Sequence, residues 1–252
     1  MIKLSDFNKI ILDGFGTIFD ENMHPLKGAE DFIKENHKKI ILLSNVGSIT
    51  GDILKTKLEN TFNIVPKKVV TSLDLTISYL KNKSIITFSH YGGSKTEEIL
   101  KKHFQIMQSD KDESDLLVMT SLPDQFFVKN TQKALNFFCH NNKSIILANP
   151  DRITIDPPYK ITVGMIFDML NNQAKSCKKD ISIKEIGKPN VKLSELNIAN
   201  ETKVLVIGDN PDTDIKLSTN LNCKSVLISK NPDKKLSKEY VIDSINRLNY
   251  CG

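Results

Sequence analysis

Four short polar clusters carry residue types able to do chemistry: Asp13-Gly14-Phe15-Gly16-Thr17, Ser44-Asn45, Gly187-Lys188-Pro189 and Gly208-Asp209-Asn210-Pro211-Asp212-Thr213-Asp214. Together they suit phosphoryl transfer. A carboxylate such as Asp13 can attack phosphorus and form an aspartyl-phosphate. A hydroxyl and backbone N–H groups, as at Ser44-Asn45, can hold phosphate oxygens. A lysine neutralises charge on the nucleophile and the phosphate. A second group of carboxylates supplies the hard oxygen ligands that Mg²⁺ takes. Each cluster alone has a plainer reading: Asp13 as a strand-end turn cap, Lys188 as a surface lysine, Asp212 as a solvated turn residue. The case rests on their occurring as a set.

The elements that must position these clusters are legible in the apolar pattern. Lys9–Leu12, Lys39–Leu43 and Lys203–Ile207 are short apolar runs ending at Asp13, Ser44-Asn45 and Gly208-Asp209. Amphipathic stretches alternate with them: Gly28–Asn36, Ile53–Phe62, Asp214–Leu221 and a last segment near Lys238–Leu248. Such alternation predicts βαβ units and a parallel sheet covered on both faces. Polar clusters at strand C-termini then lie on the edge where open parallel sheets bind ligands. Gly187-Lys188-Pro189 is expected to open a helix before the last βα unit.

The middle of the chain reads as a second α/β module inserted into the first. Ser84–Phe88, Leu116–Thr120 and Ser144–Leu147 have strand character, and Ser94–His103 and Val128–Asn141 helix character. Ser94 and Glu97 have the spacing of a capping box. Arg152–Val163 alternates around Asp156-Pro157-Pro158, which predicts a hairpin or extended loop. Tyr91-Gly92-Gly93-Ser94 reads as a turn into a helix rather than as a phosphate loop. The expected division is a core at 1–72 and 181–252 with an insert at 73–180.

In order and type these motifs resemble those of the haloacid dehalogenase superfamily, in particular its class IIA branch, which includes pyridoxal phosphate, phosphoglycolate and nucleotide phosphatases. The insert lies where that branch carries its cap domain. Ala148-Asn149-Pro150-Asp151 resembles the Asn-Pro-Asp signature of such caps, Gly164 falls at a family glycine turn before a helix at Met165–Leu170, and Gly208–Asp214 has the class IIA form. The resemblance covers nearly the whole chain. It implies a doubly wound, Rossmann-like parallel sheet with an inserted α/β cap, and a Mg²⁺-dependent phosphatase of a small phosphorylated metabolite. It makes Asp13 the nucleophile and a metal ligand. Ser44 and Asn45 become phosphate-binding residues, Lys188 the bridge between Asp13 and phosphate, and Asp209 and Asp214 metal ligands. It also implies a monomer or a homodimer through the cap.

One position departs from the family pattern. Phosphatases of this superfamily carry a second Asp two residues after the nucleophile, which protonates the leaving group and then activates water; here that residue is Phe15. Loss of a general acid/base costs ~10²–10⁴-fold in rate. The resemblance assigns this position a metal contact through its backbone carbonyl, which Phe15 retains. Two escapes are open: a substrate whose leaving group needs no acid, or a substitute among Asp20, Glu21 and His24. The alternative is a catalytically impaired phosphometabolite-binding protein. An aromatic here also resembles dehalogenases, which attack carbon without a metal, but the acidic Gly208–Asp214 loop and the lack of an Arg near the clusters argue against that reading.

Composition narrows the classes further. The chain has 252 residues, 39% hydrophobic and 26% charged, and a net charge of +5 carried almost entirely by scattered lysines. Nucleic-acid binders cluster Lys and Arg with aromatics, so none is expected as a partner. Cys139, Cys177, Cys223 and Cys251 form no Cys-x-x-Cys pair, and the five His lack metal-ligand spacing,. The early run Ile10-Ile11-Leu12 is too short for a signal-peptide core, and no stretch approaches the roughly 18 apolar residues of a membrane span. A cytoplasmic protein without a membrane partner is expected.

Overall fold

The computed structural model describes residues 2–107, 114–125, 127–140, 142–154, 159–201, 203–229 and 240–248. In chain order the elements are β1 (Lys9–Leu12), α1 (Ala29–Asn36), β2 (Ile40–Ser44), α2 (Gly51–Leu58), β3 (Lys68–Thr71), α3 (Ser72–Asn82), β4 (Thr87–Tyr91), α4 (Ser94–Lys101), β5 (Gln105–Met107), β6 (Leu116–Met119), α5 (Phe127–Phe138), β7 (Lys143–Leu147), α6 (Val163–Ser176), β8 (Ile181–Glu185), β9 (Val204–Gly208), α7 (Lys216–Asn220), β10 (Lys224–Ile228) and β11 (Tyr240–Ile242). They form two compact units. The first comprises residues 1–44, 51–70 and 188–252, and the second residues 45–50 and 71–187.

The first unit is built on a six-stranded sheet of order β11-β10-β9-β1-β2-β3. β1 runs parallel to β2, with Ile10 opposite Ile40, and parallel to β9, with Leu12 opposite Ile207. β10 is parallel to both β9 and β11. Strands β2 and β9 are buried at every residue, as expected for strands covered on both faces. Each fully buried Ile or Leu contributes roughly 1.5–3 kcal/mol. From β1 the chain proceeds outward through β2 and β3; from β9 it proceeds the other way through β10 and β11. The order therefore reverses between β1 and β9, where the loops leaving their C-termini diverge and open a crevice.

The second unit has a five-stranded sheet of order β5-β4-β6-β7-β8, and every pairing is parallel. Its reversal point lies between β4 and β6. Helices α5 and α6 pack on the sheet through Ala134, Phe137, Phe138, Val163, Phe167 and Leu170, with the rings of Phe138 and Phe167 5.8 Å apart.

Several local expectations change. Strand β8, expected within the second part of the core, pairs with β7 and belongs to the second unit's sheet. The Ser94/Glu97 capping box does not form: Gly93 is the N-cap of α4, while the Ser94 N–H and hydroxyl both donate to Asp124 at 2.8 Å. A capping box stands instead at Thr71 and Asp74, before α3. Turns, not a helix, follow Lys188. Gly164 sits inside α6, where a Cβ would lie 2.3 Å from the Asp151 carbonyl oxygen. The last segment contains the parallel strand β11 and a short 3-10 turn at Ile245–Leu248. Ile153 bridges Ile161 in antiparallel fashion, as a hairpin requires; its tip at 155–158, like the helix end at 141, lies outside the described residues.

Candidate active site

Asp13 follows β1 directly, and Asp209 follows β9. Both therefore leave the sheet at the reversal point. Between Asp209 and α7, residues Pro211–Ile215 wind as a wide π-helical turn. Asn210 caps it: its side-chain oxygen accepts from the Asp212 N–H at 2.9 Å. The turn brings Asp214 back over the end of β9, where its Oδ2 accepts from the Asn210 N–H at 3.1 Å. Carboxylate oxygens of Asp13, Asp209 and Asp214 lie within 4.8 Å of one another.

Lys188 enters this cluster from a point 175 residues along the chain from Asp13. Its ammonium donates to Asp13 Oδ1 in a short contact and to Asp214 Oδ1 at 2.7 Å. The Thr17 hydroxyl donates to the other Asp13 oxygen at 3.1 Å. Both Asp13 oxygens are thus held, which fixes the carboxylate's orientation. Burial alone would lower the Lys188 pKa, but the charges of Asp13 and Asp214 outweigh it, so the ammonium keeps its proton.

One lysine does not balance three carboxylates. Burial, together with the Asp13 and Asp214 charges, raises Asp209 well above the usual carboxylate range. Asp214 is pushed up to about 7, chiefly by burial, with Lys188 opposing. Three hard oxygen donors converging with excess negative charge fit a divalent cation of the Mg²⁺ type, which would relieve this repulsion.

Two glycines make the convergence possible. Gly16 has φ +78°, and a Cβ there would lie 2.1 Å from Asp209 Oδ2. At Gly208 a Cβ would fall 2.2 Å from the Asp214 carboxyl carbon. Phe15 lies between Asp13 and Gly16 in sequence, 36% exposed, with its ring edge-on to Phe19 at 4.6 Å. Gly16 N–H donates to the Phe19 carbonyl and Phe19 N–H to the Gly14 carbonyl. The Phe15 carbonyl is therefore left out of that ladder.

Of the residues singled out by sequence, the structure brings together Asp13, Lys188, Asp209 and Asp214. Ser44 ends β2, next to β1 at the same sheet edge, and is buried. Its side chain makes none of the cluster's hydrogen bonds. Asn45 belongs to the second unit, where its amide donates to Asp151 Oδ1 at 2.9 Å. Asn149 forms an Asx turn, accepting from the Asp151 N–H at 3.0 Å. Sequence reasoning missed Thr17, Asn210, Gly16 and Gly208 as site builders. The only signal for them was their place inside the two acidic motifs.

Two models of haloacid dehalogenase-like hydrolases match the chain, one over residues 10–109 and the other over 185–248, together well over half its length. The chain belongs to this family of hydrolases. Within the family its fold is that of the NagD-like branch, as three solved structures show. A p-nitrophenyl phosphatase from Archaeoglobus fulgidus superposes with a TM-score of 0.80 at 22% identity, over 97% of this chain and 99% of that one. NagD from Escherichia coli K-12 gives 0.75 at 19%, over 95% and 97%. A glycerol phosphate phosphatase from Mycobacterium tuberculosis, in complex with calcium, gives 0.77 at 17%, over 97% and 75%. No curated protein matches the sequence. Among the described residues, no helix is long and apolar enough to cross a membrane.

Proposed function

We propose that this chain is a cytoplasmic, Mg²⁺-dependent phosphatase of a small phosphorylated metabolite, acting through a phosphoryl group carried on Asp13. The observation that carries this reading is the Asp13 carboxylate, clamped by Lys188 and Thr17 beside Asp209 and Asp214 at the reversal point of the sheet. Family membership and the shared fold of two solved phosphatases agree with it.

In this reading an Asp13 oxygen attacks phosphorus. Lys188 offsets the charge that gathers on nucleophile and phosphoryl oxygens. Ser44, at the same sheet edge, holds those oxygens. Asp13, Asp209, Asp214 and the Phe15 carbonyl would hold the ion, which when bound supplies positive charge against the phosphoryl group. Thr17 keeps the carboxylate aimed.

The test is phosphate release from a panel of phosphorylated compounds, with and without Mg²⁺. Turnover that needs Mg²⁺ and vanishes in Asp13→Asn is expected; turnover that survives Asp13→Asn sinks the proposal. Phe15 favours a second reading, a weakly catalytic binder of phosphometabolites. Robust turnover of any physiological phosphate compound removes it. Hydrolysis at carbon would require halide release independent of Mg²⁺.

A further inference from the structure

Phe15 stands where the phosphatases this chain resembles carry a proton donor for the departing group, and among the described residues the acid that follows it along the chain does not replace that donor. Its ring is committed to Phe19, itself fully buried. The next acid along the chain, Asp20, is tied into its own turn. It accepts from the Asn22 N–H at 2.8 Å and the His24 N–H at 2.9 Å, and faces the His24 ring at 3.3 Å. Hydrogen bonds from the His24 and Asn22 backbone favour its ionised form, so at neutral pH Asp20 has no proton to give,. The Lys188 ammonium is engaged by Asp13 and Asp214.

We infer that the substrates are phosphoryl compounds whose leaving group departs as a stable anion, namely acyl phosphates, aryl phosphates or phosphoanhydrides, and that alkyl phosphate esters are poor substrates. This deepens the proposed phosphatase reading and rests on it. An alkoxide, whose conjugate acid is about as weak as water, must be protonated as it leaves. A carboxylate at about 4 or a phenolate at about 10 need not be, nor a phosphate at about 6.

The chemistry balances without an acid. An Asp13 oxygen forms a bond to phosphorus while the bond from phosphorus to the leaving oxygen breaks, and the electron pair departs with that oxygen. Water then attacks phosphorus, the pair of the breaking bond returns to Asp13, and the water's proton passes to solvent. With no general base at residue 15 this second step is slow, so phospho-Asp13 accumulates.

The experiment compares acetyl phosphate, 4-nitrophenyl phosphate, ADP and glycerol 3-phosphate with Mg²⁺. It reads kcat/KM for each and the intact mass of the enzyme quenched during turnover. The first three are expected to exceed glycerol 3-phosphate by roughly 10²–10⁴-fold, with a phosphoryl adduct on Asp13. Phe15→Asp should narrow the gap by a similar factor and remove the adduct. Should that variant not fold, the series on the unaltered protein still decides, because it needs no substitution. Glycerol 3-phosphate turned over within tenfold of acetyl phosphate, with no adduct, overturns the inference and leaves the phosphatase reading standing. If no compound yields phosphate or adduct from folded protein, the phosphatase reading fails and this inference with it.

Discussion

The molecule contains two parallel sheets, each with a reversal point at its C-terminal edge, and the two points are furnished in opposite ways. In the first unit the crevice between β1 and β9 holds three carboxylates against one lysine. In the second the groups near the ends of β4 and β6 are polar partners that largely satisfy one another, with no cluster of three carboxylates among the described residues. His90 Nε2 is 2.8 Å from Thr120 Oγ1, the Gly93 N–H donates to Ser121 Oγ at 3.0 Å, and Asp124 takes both Ser94 donors. His90 Nδ1 lacks a hydrogen bond and lies 3.7 Å from Glu97 Oε2. Topology alone offers a crevice twice. Unbalanced charge distinguishes the first crevice from the second, and burying like charges costs stability that a bound cation would restore.

The largest effect that would break this contrast is at Asp13. Asp13→Asn should reduce phosphate release to background, since removing a covalent nucleophile costs on the order of 10⁶-fold, while circular dichroism shows the fold intact. Lys188 keeps Asp214 as its partner in that variant. Undiminished turnover would place the chemistry elsewhere.

A matched pair of glycine substitutions tests the two crevices directly. In Gly208→Ala the new Cβ meets the Asp214 carboxylate at 2.2 Å; in Gly92→Ala it meets Thr120 Oγ1 at 2.3 Å and His90 Nε2 at 2.6 Å. Both should lose about 1–3 kcal/mol from overpacking, read by denaturant melts. Mg²⁺ should raise the melting temperature of the unaltered protein, and only Gly208→Ala should also lose that rise. Equal Mg²⁺ responses in the two variants would detach the acidic cluster from metal binding.

The smallest effects sharpen the sign. Asp209→Asn removes a like charge, so the metal-free protein should gain ~1 kcal/mol, or a melting point a few degrees higher, and no longer respond to Mg²⁺. Thr120→Val leaves His90 Nε2 without its partner and should lose about 1–3 kcal/mol with its Mg²⁺ response unchanged. A destabilised Asp209→Asn would mean that its carboxylate is already compensated within the fold.

Much of this was visible in the order of residues. Strands β1, β2 and β9 are continuous apolar runs, and a run buried on both faces announces itself without its neighbours. The acidic motifs at the ends of β1 and β9 followed, as did Ser44 at the end of β2. Strands β5 and β8 were missed because β5 is three residues long and β8 is partly exposed throughout, an edge strand whose pattern carries little burial signal. The capping box was read at Ser94 because the local spacing is right. A residue thirty positions away, Asp124, captures that hydroxyl instead.

By itself the sequence determined the buried strands β1, β2 and β9 and which reactive groups stand at their ends, because hydrophobic periodicity and strand-end placement are local properties of the chain. Only the tertiary structure decided that Asp13, Lys188, Asp209 and Asp214 meet within hydrogen-bonding and ligating distance. That meeting depends on the strand order that sets β1 beside β9, and on two glycines small enough to let the carboxylates approach. It also decided their protonation, since pKa values are set by burial and by neighbouring charges that the linear order holds far apart.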